Sequence, residues 1–140
     1  MTTYTPAARL SALFDSGDRL LRLSLRADAL VTGVNGLAYL ALSAPLESLL
    51  GLDRGLALGL GAFLIAYAVL VTVVGLPARI STAAVRGVIA TNAVWAAVSV
   101  AALAAGVLGL TTVGAVWAVL QALVVGGFAA LQYLGLRKAA

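Results

Sequence analysis

Apolar residues in this chain do not alternate with polar ones; they run in long blocks between short clusters of charge. No charged residue lies between Asp28 and Glu47, a gap of 18 residues, or between Arg54 and Arg79, a gap of 24. A third block, between Arg86 and Arg137, is 50 residues long. About 20 apolar residues cross a bilayer, within a range of roughly 17–25, so the first two blocks fit one crossing each. The third, as a single helix, would reach about 75 Å at 1.5 Å per residue, more than twice the ~30 Å hydrocarbon core. It has to fold back. The place is Gly106-Val107-Leu108-Gly109-Leu110-Thr111-Thr112, where two glycines and two threonines interrupt an Ala/Val run. The pattern predicts an all-α integral membrane four-helix bundle with spans at about 27–45, 55–76, 86–106 and 112–136.

Ahead of the first span the pattern changes. Thr5-Pro6 reads as an N-cap followed by proline at the first helical position. Leu10, Leu13, Phe14, Leu20, Leu21 and Leu25 then fall on one arc of a helical wheel, and Asp15, Asp18, Arg19, Arg22 and Arg26 on the other. Asp15–Arg19 and Asp18–Arg22 are i,i+4 pairs with the acid first, the better order. Residues 1–26 are expected to be a cytoplasmic amphipathic segment lying on the membrane face, distinct from the 27–140 bundle. It serves either to orient the first span or to dock a partner or anionic lipid.

Composition agrees with the blocks. The chain is 63% hydrophobic and 10% charged, against about 25% charged for an average soluble domain. Eight of the nine Lys/Arg fall in three segments that four crossings put on one side: Arg9, Arg19, Arg22 and Arg26, then Arg79 and Arg86, then Arg137 and Lys138. Arg54 alone is opposite, beside Glu47 and Asp53. Positive charge is retained inside, so the expected location is a bacterial plasma membrane, multi-pass, with both termini cytoplasmic. Cleavage after Ser43 as a signal peptide is the alternative for the first span, although an n-region of 28 residues with three acids is atypical. The basic residues flank spans and form no continuous groove, so no nucleic acid is expected as a partner.

Spans pack through small residues and polar contacts, because lipid is as apolar as leucine. Two ladders run at a spacing of four: Ala93, Ala97, Ala101 and Ala105, and Gly114, Ala118, Ala122, Gly126 and Ala130. They predict a tight hairpin of the third and fourth spans, or else a homodimer. Gly55 and Gly59 make a short GxxxG at the start of the second span. Arg26 to Arg79 and Arg86 to Arg137 read as two similar in–out–in hairpins, a parallel repeat.

Candidate chemistry is sparse. With no His and no Cys, imidazole catalysis, thiol chemistry and the usual zinc and haem sites are gone. There is no nucleophile–base pair and no phosphate loop, so no enzyme activity, cofactor or metal is expected. Asp28, Thr32, Asn35, Tyr39 and Ser43 share one face of the first span. Counting from each cytoplasmic arginine puts Asn35, Thr72, Asn92 and Gln132 at one level of about 8–14 Å. Tyr39, Tyr67 and Ser99 form a second level at about 18–20 Å. Asp28 is expected at the cytoplasmic edge in an ion pair or against water, leaving no acid or base deep in a span. The small multidrug-resistance transporters, also four-helix proteins of near this length, use a glutamate in the first span; this chain has none there. The polar layer is then inter-helix glue, or a pocket for a small neutral or lipophilic solute in a dimeric carrier.

The stretches Leu30-Val31-Thr32-Gly33-Val34-Asn35-Gly36-Leu37-Ala38-Tyr39, Asn92-Ala93-Val94-Trp95, and Gln121 through Arg137 resemble small four-span integral membrane proteins of actinobacteria. Eight arginines to one lysine, with abundant Ala, Gly and Val, suggest a GC-rich genome as well. The resemblance implies the same bundle and carries no functional residues. The leading expectation is a non-enzymatic accessory or interaction module, whose partners are membrane lipid and either a second copy or another membrane protein.

Overall fold

The computed structural model describes residues 17–139, which form five helices and no strand. They are α1 (Gly17–Ala41), α2 (Ser43–Leu50), α3 (Arg54–Gly75), α4 (Thr82–Ala105) and α5 (Thr112–Ala139). Three of them, α3, α4 and α5, are long and apolar enough to cross a membrane, and a fourth crossing exists if α1 and α2 form one broken span. The helices start at polar caps between the apolar blocks. Asp53 accepts from the Leu56 N–H at 3.0 Å, and Ser81 accepts from the Ala84 N–H at 3.3 Å. At α5 the Thr111 hydroxyl takes the Gly114 N–H at 3.1 Å. Each cap satisfies a backbone donor that the first turn would otherwise leave unpaired.

The first helix departs from expectation twice. There is no boundary at residues 26 and 27: α1 runs unbroken from Gly17, and the part of the expected interfacial helix before it lies outside the described residues. Its leucine stripe does not face lipid. Leu20, Leu21 and Leu25 are buried, and Leu21 and Leu25 form the core of one end with Val71, Val85 and Val88. Nothing between Arg26 and Asp28 breaks a helix, so the stripe continues straight into the bundle seam. At the other end α1 stops at Ala41 and α2 leaves at 93°. The cause is Pro45, which has no N–H to give to the Ala41 carbonyl and whose ring clashes with it. The expected span to residue 45 therefore ends in a corner.

Helix α2 closes the end of the bundle away from the basic residues. Thr111 holds it twice, its hydroxyl donating to the Leu49 carbonyl at 2.8 Å and its N–H to Leu50 at 2.9 Å. Glu47 accepts from the Arg54 N–H at 2.8 Å, and Arg54 Nε reaches Ser43 Oγ at 3.3 Å. A second small core, Leu50, Leu52 and Ala57, lies beneath.

In the bundle α1 lies between α3 and α5, and α4 packs on α5. The α3 and α4 backbones meet little, and aromatic rings fill the space between them: Phe63 stacks on Trp95 at 5.4 Å and on Tyr67 at 6.0 Å. Backbone comes close to backbone where α1 crosses α3. A Cβ on Gly61 would stand 2.9 Å from the Gly36 carbonyl oxygen, and one on Gly36 would stand 3.1 Å from that of Gly61.

The two small-residue ladders are not the seam they suggested. The α4–α5 hairpin forms, but Ala93, Ala97, Ala101, Ala105 and Ala130 are exposed and Ala118 is half-buried. Of the ladder residues, Ala122 is buried between the helices and Gly126 faces Ala96. Gly114 serves a different contact, since a Cβ there would land on the Leu50 carbonyl of α2. The rotation of α4 decides this, because Val85, Val88 and Asn92 take the inward face. The Gly55–Gly59 pair also lies outside any helix seam, with open space around Gly59.

At the basic end Arg22 ties α1 to the α3–α4 connection. Its guanidinium donates to the Gly75 carbonyl at 3.1 Å and to the Ala78 carbonyl, and pairs with Asp18 at 3.2 Å. Arg22→Ala is expected to lower stability by about 1–2 kcal/mol, whereas Arg19→Ala, on the exposed side of the same turn, leaves it unchanged. Thermal unfolding in detergent reads both; equal midpoints would mean that the tie contributes nothing.

Candidate functional site

Between the leucine core and the midpoint of the bundle, four helices each turn a polar side chain inward. The centre is Asp28, only 1% exposed. Its carboxylate accepts from Asn92 Nδ2 and from Gln132 Nε2, both at 2.8 Å, and from Thr32 Oγ1 at 3.0 Å. Asn92 also donates to Gln132 Oε1 at 3.0 Å, closing a ring of three side chains from α1, α4 and α5. Tyr67 brings in α3, its hydroxyl 3.1 Å from Asn92 Oδ1 and 3.3 Å from the Val88 carbonyl. The carboxylate takes an N–H from each amide, Gln132 Oε1 accepts a further N–H from Asn92, and Asn92 Oδ1 accepts from the Tyr67 hydroxyl. Among the described residues no buried side-chain nitrogen or oxygen lacks a partner.

Asp28 is therefore corrected from an edge residue to the centre of the core. The expected depth was counted from Arg26, but Arg26 is exposed and Arg22 is the residue that meets the connection at the basic end. Counted from Arg22, Asp28 is about 9 Å deep at 1.5 Å per residue, the same step that separates Asn92 from Arg86. A polar side chain one turn further from the true edge had to find partners inside the bundle.

The expected single layer of Asn35, Thr72, Asn92 and Gln132 divides. Asn92 and Gln132 meet in the Asp28 ring. Asn35 lies above it and donates to Gln121 at 2.9 Å. Thr72 is exposed and turns back on its own helix, to the Ala68 carbonyl at 2.8 Å. The expected second level divides as well. Tyr67 joins the ring, Tyr39 accepts from Trp117 Nε1 at 3.1 Å, and Ser99 lines a cavity with them. That cavity, about 100 Å³, lies under α2 with Trp95 and Gln121 also in its wall. It holds roughly three waters' worth of space, below the roughly 300 Å³ at which small-molecule sites begin.

A larger concavity opens at the basic end. It measures about 760 Å³ and lies between the starts of α1 and α4 and the end of α5. Arg79, Arg86 and Arg137 line it with Asp18 and Tyr133, over a floor that includes Leu21, Ile89 and Leu136. Arg137 sits 5.8 Å from the centre of the Tyr133 ring. The sequence reading did not name this groove. The signal available was the i,i+4 pair Tyr133–Arg137 facing Arg86–Ala90 across the hairpin.

No family model, curated protein or solved structure matches the chain.

Proposed function

We propose that the chain is a small multi-pass protein of a bacterial plasma membrane, with both termini cytoplasmic, acting as a non-enzymatic accessory module. The observation that carries this reading is the inversion of the usual burial pattern. Asp28, Asn92 and Gln132 are buried, while Leu30, Leu37, Val69 and Leu123 are 59–68% exposed. Water would oppose both halves of that arrangement, and hydrocarbon favours both. The basic end carries Arg22, Arg26, Arg79, Arg86 and Arg137, and the end under α2 carries Arg54 beside Glu47 and Asp53, which supports a cytoplasmic basic end. The polar ring spends its donors and acceptors on itself, which suits a role in holding four helices in one arrangement.

The chain has no cysteine, so single cysteines give a clean topology test. A cysteine at Ser81 is expected to resist an impermeant maleimide in intact cells and to react after permeabilisation, while one at Asp53 reacts in both. The reverse pattern would invert the orientation.

The carrier of a small neutral solute is the second reading, favoured by the aromatic cavity under α2. Purified protein in liposomes is expected to pass glycerol and urea no faster than empty liposomes. Flux that Ser99→Trp abolishes would replace the accessory role by this one.

A further inference from the structure

We infer that the face shared by α4 and α5 binds one anionic phospholipid, its phosphate held by Arg79, Arg86 and Arg137 and one acyl chain lying in the small-residue groove above them. This rests on the membrane reading just given. The basic groove measures about 760 Å³, and its charge is lopsided: three arginines face one acid, Asp18, which is itself paired with Arg22. Basic pockets between spans on the cytoplasmic side suit anionic headgroups, and guanidinium forks suit phosphate oxygens.

The second observation is what lies above the arginines. A further groove of about 560 Å³ follows the same hairpin, lined by Ala97, Ala101 and Ala104 of α4 and Val119, Ala122 and Leu123 of α5. The two grooves share a face. At 100° per residue, Arg86, Ala90, Ala93 and Ala97 fall within about 60° on α4, and Arg137, Tyr133, Ala130 and Gly126 within about 60° on α5. The exposed alanines thus form a shallow channel with cations at its mouth. From Arg86 to Ala97, at the near end of that groove, is about 16 Å, close to one leaflet of a ~30 Å core, so an acyl chain that starts at the arginines runs over Ala90 and Ala93 and enters the groove with its end. This explains why the alanine ladder is exposed: small side chains leave room for an acyl chain and not for a neighbouring helix. A second copy is the weaker occupant, because a two-fold seam on this face would gather six arginines. The α1–α3 groove offers an internal comparison, since it has a single arginine, Arg26, at its mouth.

The test is native mass spectrometry of the purified protein from nanodiscs of phosphatidylcholine with added phosphatidylglycerol. One phosphatidylglycerol is expected to stay on each chain. R86Q/R137Q is expected to weaken retention about thirtyfold. Ala93→Leu with Ala97→Leu, which fills the channel and keeps every arginine, is expected to abolish it, and R26Q to leave it unchanged. Unfolding midpoints in phosphatidylcholine alone equal to wild type verify that the variants fold. Equal retention by wild type and R86Q/R137Q overturns the proposal, and so does a dimer that excludes lipid. Inorganic phosphate that displaces the lipid from wild type overturns the acyl-chain half. Protein released from membranes by carbonate would instead remove the membrane reading beneath it.

Discussion

Asn92→Leu is expected to destabilise the bundle by about 2–4 kcal/mol, several times the ~0.6 kcal/mol average for a polar contact between membrane helices. The substitution removes more than one contact. Asp28 Oδ2 loses one of its two amide donors, Gln132 Oε1 loses the Asn92 donor, and the Tyr67 hydroxyl loses its nearer acceptor. Asp28 and Gln132 stay buried, and a stranded polar group costs more than the hydrogen bond contributed. Asn35→Leu breaks a single half-buried bond to Gln121 and is expected to cost about 1 kcal/mol or less. The triple replacement of Asp28, Asn92 and Gln132 by leucine is expected to recover most of the Asn92→Leu loss, because it strands no amide or carboxylate: Tyr67 keeps the Val88 carbonyl, and the Thr32 hydroxyl can turn to the carbonyl four residues back on its own helix. Equilibrium unfolding in detergent reads all three. Equal losses for Asn35→Leu and Asn92→Leu would mean that the ring does not act as a unit.

That ring was half legible in the sequence. The inward stripe Asp28, Thr32, Asn35 and Tyr39 follows from helical spacing alone, and so does the face shared by Asn92, Trp95 and Ser99. Depth did not follow, because it requires knowing which arginine stands at the bundle's edge, and Arg22 shows this only through its contact with Gly75 and Ala78. The helix limits of α3, α4 and α5 were readable from charge gaps and from the two glycines of the turn, Gly106 and Gly109, which both take positive φ. The corner at Leu42 carried its signal in Pro45, which a charge count passes over. The rotation of α4 could not be read from an alanine ladder. Alanine fits a helix seam and a lipid-facing channel equally well, and the inward face is set by the bulkier Val85 and Val88 and by Asn92.

The second large effect concerns glycine. Gly114→Val and Gly61→Val are each expected to cost about 3 kcal/mol or to prevent folding, the upper part of the range for overpacking. At Gly114 the added Cβ meets the Leu50 carbonyl of α2, and at Gly61 it meets Gly36 backbone and the Leu40 side chain. Backbone cannot yield as a side-chain tip can, so α2 would lift from the end of the bundle in the first case and α1 would part from α3 in the second. Gly59→Val and Gly87→Val meet open space and are expected to change stability by about 0.5 kcal/mol or less. Expression level and unfolding midpoint separate the pairs. A Gly59 variant as damaged as the Gly61 variant would require a different rotation of α3.

The central claim is that Asp28 is held inside the helical bundle by Asn92 of α4 and Gln132 of α5. Solid-state NMR of labelled protein in lipid bilayers reads that arrangement directly, through carbon–nitrogen correlations between the Asp28 carboxyl carbon and the side-chain amide nitrogens. The structure predicts cross peaks to both Asn92 Nδ2 and Gln132 Nε2, and none to Asn35 Nδ2. An Asp28 carboxyl that correlates with water and with neither amide would contradict it.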